Sequence, residues 1–281
     1  MKTENFLITG GTGKTGRKIV ASLQQLGQNV RIGSRNAVIP FDWQNPTTWD
    51  AALEEIDKVY ITFQPDLAVP GAFEAIQRLS QKAKEKGVKK LVILSGKGET
   101  EAEKCETAVI NSGLDYTVIR ASWFNQNFSE SFFLDPFLSG HVVLPFPEAK
   151  VPYVDTGDIA DVAVEALLHE EHNGQIYELT GPRLWTFEEV NQEIAQASNR
   201  EIQFTSVSLE DYLGFMKQAG VDADYIWLMD YLFTHVLTNP ENSFVTGDVE
   251  KVLKRAPKDF AVYAKETAAT GVWNVSLETS I

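Results

Sequence analysis

Cysteine is nearly missing from this chain. Cys105 is the only one among 281 residues, so no intrachain disulfide is possible and nothing demands an oxidising compartment. Long apolar runs are missing too. No stretch approaches the roughly 20 residues that cross a bilayer. The first strand-like run begins so near Met1 that it leaves no room for a signal peptide, and cytoplasmic localisation is the expectation. Positive charge is scarce: 25 Lys and Arg against 39 Asp and Glu give a net charge of −14. That balance argues against nonspecific contact with nucleic acid or an anionic membrane. The histidines His141, His169, His172 and His235 show no spacing that recruits Cys or Asp, so no metal centre is expected. With 43% hydrophobic and 23% charged residues, the chain suits one large or two small globular domains.

What is present begins at once. Asn5 to Gly16 reads NFLITGGTGKTG: a short apolar run, then Gly10, Gly11, Gly13 and Gly16. Ile19, Val20, Leu23 and Leu26 follow at helical spacing. Strand, glycine turn and helix in this order form a seat for a diphosphate. The backbone comes close to the anion, and the helix N-terminus faces it with free N–H groups and a positive dipole end. Gly10, Thr12, Gly13, Lys14, Thr15 and Gly16 are the expected contacts. A plain tight turn is the bland alternative, made less apt by the flanking strand and helix. Gly13-Lys14-Thr15 also looks like the end of a Walker A loop. That motif needs glycine where Ile8 stands, inside the strand, so a nucleoside triphosphatase is not expected.

The second strand, Asn29 to Gly33, ends in Ser34-Arg35-Asn36. An NAD site places Asp or Glu here for the ribose 2′-hydroxyl, and none is present. Arg35 and Ser34 suit a 2′-phosphate, since guanidinium and hydroxyl both donate to it. Lys14 adds a second cation. NADP (NADPH) is therefore expected over NAD.

Farther on, the first half alternates strand and helix signals. Strands are expected at Ala37–Phe41, Lys58–Phe63, Lys90–Leu94 and Tyr116–Ile119, with helices opening at Pro46 and spanning Ala68–Lys86 and Glu101–Ser112. Repeated β-α units predict an α/β fold, a Rossmann-type doubly wound parallel sheet with ligands at the strand ends. Pro136, Pro145, Pro147 and Pro152 suggest a loop-rich border. The expected division is 1–150 as the dinucleotide-binding domain and 151–281 as a smaller, mainly helical lobe, with 156–180 packing back on the first. Within the lobe, Thr156–Leu168 reads as helix and Gln175–Leu179 as strand. Thr186 with Glu189 has capping-box spacing for a helix to about Ser198. Ile202–Val207 reads as strand, and Ser208 starts another helix.

Several segments together resemble NmrA-like proteins: GGTGKTG, Leu94-Ser95 at a strand end, SGLDYTVIRASWFNQN from Ser112 to Asn127, and DTGDIADVAVEALL from Asp155 to Leu168. The resemblance covers most of the chain and is weakest beyond about Arg200. It implies an atypical short-chain dehydrogenase relative with a Rossmann domain and a small C-terminal lobe. Some members are NADPH-dependent reductases, and others sense the cofactor and regulate a partner. Phe41-Asp42-Trp43 with Thr48-Trp49 looks like the festuclavine dehydrogenase branch; short motifs of this kind carry fold and cofactor rather than substrate. One departure stands out. Active short-chain dehydrogenases usually carry Tyr-x-x-x-Lys, and the segment Glu101 to Ala108 has no Tyr.

Two functions follow. One is an NADPH-dependent oxidoreductase passing hydride to a small unsaturated acceptor (quinone, azo, carbonyl or iminium). The other is a non-catalytic NADP(H)-sensing regulatory protein. A sugar-nucleotide epimerase is weaker, because it needs the same absent Tyr. Ser95 at a strand end either bonds substrate and carboxamide or caps its loop, and Lys97 either orients substrate or is solvated. These two are the candidate catalytic residues, and Ser95 is also a cofactor contact. Asp42 and Trp43 are expected at the adenine, and Phe63 and Gln64 flank the cofactor. Trp123, Phe124 and Asn127 suit the pocket of a flat substrate, or aromatic packing between lobes. Cys105 reads as a small helix residue. A small-molecule substrate is the expected partner, with a homodimer or a regulatory protein partner left open.

Overall fold

The computed structural model of the chain describes residues 3–131 and 133–274. In chain order the elements are β1 (Asn5–Thr9), α1 (Gly16–Gln25), β2 (Asn29–Gly33), α2 (Trp49–Leu53), β3 (Lys58–Ile61) and α3 (Ala72–Glu85). They continue with β4 (Lys90–Gly96), α4 (Thr100–Ile110), β5 (Asp115–Ala121), α5 (Leu134–Ser139), β6 (His141–Leu144), α6 (Thr156–Leu168) and β7 (Gln175–Leu179). The last are α7 (Phe187–Ser198), β8 (Gln203–Ser206), α8 (Leu209–Gln218), α9 (Ala223–Tyr231), α10 (Asp248–Leu253) and α11 (Phe260–Ala269).

The chain divides into two interleaved units. The first holds 1–121, 156–179 and 246–256, and the second holds 122–155, 180–245 and 257–281. Residues 122–150, assigned by the sequence reading to the first part, thus fall in the second unit.

In the first unit, six parallel strands lie in the order β2-β1-β3-β4-β5-β7. This is the doubly wound arrangement: β1 sits between β2 and β3, so the strand order reverses beside it. Both sheet faces are covered, which is why the strands read as continuous apolar runs. Leu7, Val59, Ile61, Leu91, Ile93 and Val118 point to one face and pack with residues of α2, α3 and α4, including Trp49, Ile76, Leu79 and Val109. Helix α6 contacts α1, β3, β4 and β5, and its Ile159, Val162, Ala163, Ala166 and Leu167 are buried. Because all six strands are parallel, Thr9, Gly33, Ile61, Gly96, Ala121 and Leu179 end on one edge.

The second unit has an aromatic core. Phe128, Phe133, Phe137, Tyr153, Phe187, Phe233 and Phe260 are all at most 2% exposed. Phe128 stacks on Phe133 at 5.3 Å and meets Phe137, Tyr153 and Phe260 edge-on. Two polar handles are tied off: the Trp273 indole donates to the Phe128 carbonyl at 2.9 Å, and the Tyr263 hydroxyl donates to Ser129 Oγ at 2.7 Å. Strands β6 and β8 pair in parallel.

Three expected elements differ. No strand forms at Ala37–Phe41. The Ala37 and Phe41 amides both fold back to the Ser34 carbonyl, Pro40 has no N–H for a ladder, and Val38 is fully exposed. Helix α3 starts at Ala72 rather than Ala68, after Pro70 and a left-handed Gly71. The proline-marked border contains α5 and β6. Pro136 is tolerated in the first turn of α5, where its missing N–H has no helical partner.

The capping box at α7 is formed as its spacing predicts. The Glu189 amide donates to Thr186 Oγ1 at 3.1 Å, and the Thr186 amide donates to Glu189 Oε2 at 2.8 Å. A Thr186→Ala variant should lose about 1 kcal/mol of stability in urea unfolding. An unchanged midpoint and slope would show that the cap is not holding α7.

Candidate active site

The glycine turn is shaped by contacts that leave no room for side chains. Gly10 follows β1 with φ +60°, and a Cβ there would lie 2.5 Å from Thr62 Cγ2. A Cβ on Gly16 would overlap the Gly10 carbonyl oxygen, so α1 starts against the end of β1 only because both residues are glycine. The Gly13 amide closes the turn on the Gly10 carbonyl at 2.8 Å. Thr12 and Gly13 face solvent, and Lys14 is half-buried.

No side chain caps α1, and its first turn holds no acid. Thr15, which occupies the N-cap position, bonds instead to the Tyr60 hydroxyl at 3.0 Å. The positive end of a ten-residue helix therefore meets the turn with no side-chain cap and no acid in its own first turn. This fits a dinucleotide diphosphate. Burial raises the Tyr60 pKa far above its ordinary value, which keeps that phenol protonated.

Beside the turn, β2 closes on β1 at Gly33, where a Cβ would lie 2.9 Å from the Ile8 carbonyl oxygen. Ser34 is half-buried and Arg35 exposed. The loop after them folds onto an aromatic cluster. Trp43 lies 4.8 Å from Phe63 and 5.0 Å from Phe41, and its indole donates to the Thr62 carbonyl at 3.2 Å. Asp42 is taken up by its own loop: Oδ1 accepts from the Gln44 amide at 3.0 Å, and its carbonyl accepts from the Trp49 indole at 2.7 Å. The structure thus brings Trp43 and Phe63 together, while Gln64 is exposed.

Along the same sheet edge, Ser95 and Lys97 are both 5% exposed. The Ser95 hydroxyl donates to Glu106 Oε1 at 2.6 Å. Its one proton is committed there, so toward a ligand Ser95 acts as an acceptor. Arg120 grips the same Glu106 carboxylate through Nε at 3.0 Å and Nη2 at 2.7 Å, and lies within 3.6 Å of Glu103 and Glu178. The Lys97 amide bonds the Ala121 carbonyl at 2.9 Å. Burial holds the Lys97 ammonium below its ordinary pKa, and Glu178 opposes this. Burial pushes the Cys105 thiol up to about 12, and Sγ contacts the Leu67 carbonyl at 3.5 Å, as suits an inert core residue.

Trp123, Phe124 and Asn127 belong to the second unit and are half-buried. Trp123 rests against Phe133, Phe187 and Phe233 at 5.7–6.3 Å. Phe124 bridges Val154 through its backbone, and the Asn127 amide bonds the Phe124 carbonyl.

Four charged residues of the strand-end region escaped the sequence reading: Asp66, Glu99, Glu106 and Arg120. For Asp66 and Glu99 a signal existed, since each follows a strand end within a few residues. Glu106 is buried through pairing with Arg120 across 14 positions, which no local pattern marks. Among the described residues no group of acids, histidines and cysteine could hold a metal ion. No described helix is long and apolar enough to cross a membrane.

Comparison with known proteins agrees with this geometry. A family model described as NAD(P)H-binding matches residues 10–170. The chain belongs to this NAD(P)H-binding family. It is 29% identical to prestalk A differentiation protein A of Dictyostelium discoideum, over 94% of this chain and 92% of that one. It is 28% identical to the NAD(P)H azoreductase of Xenophilus azovorans, over 94% and 98%. Festuclavine synthase I of Penicillium roqueforti is 26% identical over 92% and 97%, in keeping with the motif resemblance at Phe41-Asp42-Trp43. The NADPH-dependent quinone oxidoreductase of Escherichia coli, solved with NADPH, has a TM-score of 0.77 at 20% identity, covering 93% of this chain and 99% of that one. NmrA, a negative transcriptional regulator solved with NAD, has a TM-score of 0.72 at 16% identity, covering 96% and 98%. These two structures show the shared fold.

The Glu106–Arg120 pair yields a test. Glu106 is 2% exposed and Arg120 20%, so Arg120→Met leaves a buried carboxylate without its partner. The expected loss is about 3–5 kcal/mol in denaturant unfolding. Lys104→Met, at the exposed pair with Glu101, should change little. Equal effects from the two variants would contradict a buried, compensated pair.

Proposed function

We propose that this chain is an NADPH-dependent oxidoreductase that reduces a small unsaturated acceptor: a quinone, azo, carbonyl or iminium compound. The observation that carries the reading is the uncapped α1 N-terminus set against a glycine turn with no space for side chains. Family membership and the full-length similarity to an NAD(P)H azoreductase support it.

Thr12, Lys14, Thr15 and Gly16 hold the diphosphate through backbone amides and the helix dipole, and Gly10 and Gly13 shape the turn that seats it. Ser34 and Arg35 follow β2, where the adenosine ribose is read, and donate to a 2′-phosphate. The 2′-phosphate is why NADPH rather than NADH is the favoured donor. Trp43 and Phe63 offer flat apolar surface near the adenine, with Asp42 bracing their loop, and Gln64 lies beside them. When bound, the cofactor supplies hydride at the nicotinamide ring. The chain contributes placement of donor and acceptor at near-attack distance, roughly 3–3.5 Å. Ser95 accepts from the carboxamide amide, and Lys97 orients the substrate. On the second unit, Trp123, Phe124 and Asn127 form an aromatic wall with one amide for a flat acceptor.

Two measurements test this. In titration calorimetry, Arg35→Ala should weaken NADPH by at least about tenfold, the scale of one lost charge-assisted bond, while NADH changes little. Equal weakening of both would remove Arg35 from 2′-phosphate recognition. NADPH oxidation should appear with at least one of a quinone, an azo dye, a carbonyl and an iminium. NADPH that binds and is never oxidised with any of them would move the chain to cofactor-sensing regulators.

A further inference from the structure

Ser95, Arg120 and Glu178 stand side by side in one register row across the ends of β4, β5 and β7. Glu106, from α4, reaches the first two. Its Oε1 accepts the Ser95 hydroxyl at 2.6 Å, and its Oε2 accepts Arg120 Nη2 at 2.7 Å. Arg120 Nε lies between the two oxygens, at 3.0 and 3.1 Å. The same sheet edge carries the glycine turn, after β1, and Ser34 with Arg35, after β2. Sheet order puts β2 on one side of β1, and β3 then β4 on the other. A dinucleotide with its diphosphate at β1 and its adenosine read at β2 sends its nicotinamide half across β3 toward β4. Ser95 lies in that direction, two strand spacings or roughly 10 Å from β1. The pairing of β4 with β3 ends at Ile93, so Ser95 stands beyond the last β3 partner, while its pairing with β5 continues.

We propose that Glu106 is a positioning residue for the cofactor: by taking the Ser95 proton it makes Ser95 an acceptor, and so selects a nicotinamide ring whose carboxamide N–H group turns to β4. The idea rests on the cofactor assignment made above. Arg120 sets the polarity one step farther back. A guanidinium only donates, so the side chain at 106 has to offer it oxygen. A carboxylate has a second oxygen left for the Ser95 proton. An amide has none. In Glu106→Gln the oxygen stays with Arg120, and Nε2 turns to Ser95 and donates. The Ser95 hydroxyl is then released to donate toward the ring. Glu106→Met frees the same hydroxyl without placing a donor beside it, and Arg120 keeps Glu103 and Glu178 within 3.6 Å.

The test compares two probes, NADP+ and its 3-acetylpyridine analogue, in which a methyl ketone replaces the carboxamide. The ketone accepts and cannot donate, so it leaves the Ser95 lone pairs unmatched. Titration calorimetry on the full chain should show wild type preferring NADP+ by about tenfold, the scale of one hydrogen bond. Glu106→Gln and Glu106→Met should abolish or reverse that preference by gaining affinity for the analogue. Ser95→Ala should abolish it by losing affinity for NADP+ alone. The ratio of two affinities is internal to each variant, so a partly unfolded sample does not move it, and a purely structural Glu106 would leave it at the wild-type value. Equal binding of both probes by wild type, or a wild-type preference kept in either Glu106 variant, overturns the positioning role. Wild type that binds neither probe overturns the cofactor assignment and this role with it. The expected ratios without NADPH oxidation by any acceptor support the role and overturn only the oxidoreductase reading.

Discussion

The close approach of Gly16 to Gly10 is the constraint on which the rest depends. A single added Cβ would drive α1 off the end of β1. With that contact in place, the helix dipole points at an open turn, and Thr15 is spent on Tyr60 rather than on capping. The helix N-terminus thus meets the turn without a side-chain cap, an arrangement that a bound anion completes. The parallel sheet then does the rest of the positioning. Its strands all finish on one edge, so residues far apart in the chain, from Ser34 to Lys97, are presented along one line.

That edge carries two different solutions to buried charge. Glu106 is compensated: a bidentate guanidinium and a serine proton satisfy it. Burial raises Asp66 and Glu99. The contrast separates a carboxylate held by partners on two elements from two acids that burial pushes up. It also redefines Ser95, whose hydroxyl is oriented by Glu106 and presents lone pairs rather than a proton.

Much of the first unit was legible because its signals are local. Apolar runs bounded by glycine gave the strands, Gly113 marked the end of α4 with φ +78°, and Thr186 with Glu189 announced α7. The return of Gln175–Leu179 to the sheet, beside β5, follows from the β-α rhythm. Other features were not legible. Ala37–Phe41 looks strand-like by composition, but Ser34 draws its amides into a turn. The α5–β6 segment is proline-marked and still ordered, because Phe137, Val142 and Leu144 are buried in the aromatic core. In the candidate site, the glycine turn and Arg35 were visible as motif and position. The Glu106–Arg120 pair was not, since it joins residues that only the sheet brings together.

The central claim is that the opening glycines hold the diphosphate of a nicotinamide dinucleotide. The most direct measurement is a crystal structure of the chain soaked with NADPH. The account predicts diphosphate density against the glycine turn of residues 10–16, with the 2′-phosphate beside Ser34 and Arg35. An empty turn under saturating NADPH, or a dinucleotide seated elsewhere, would contradict it.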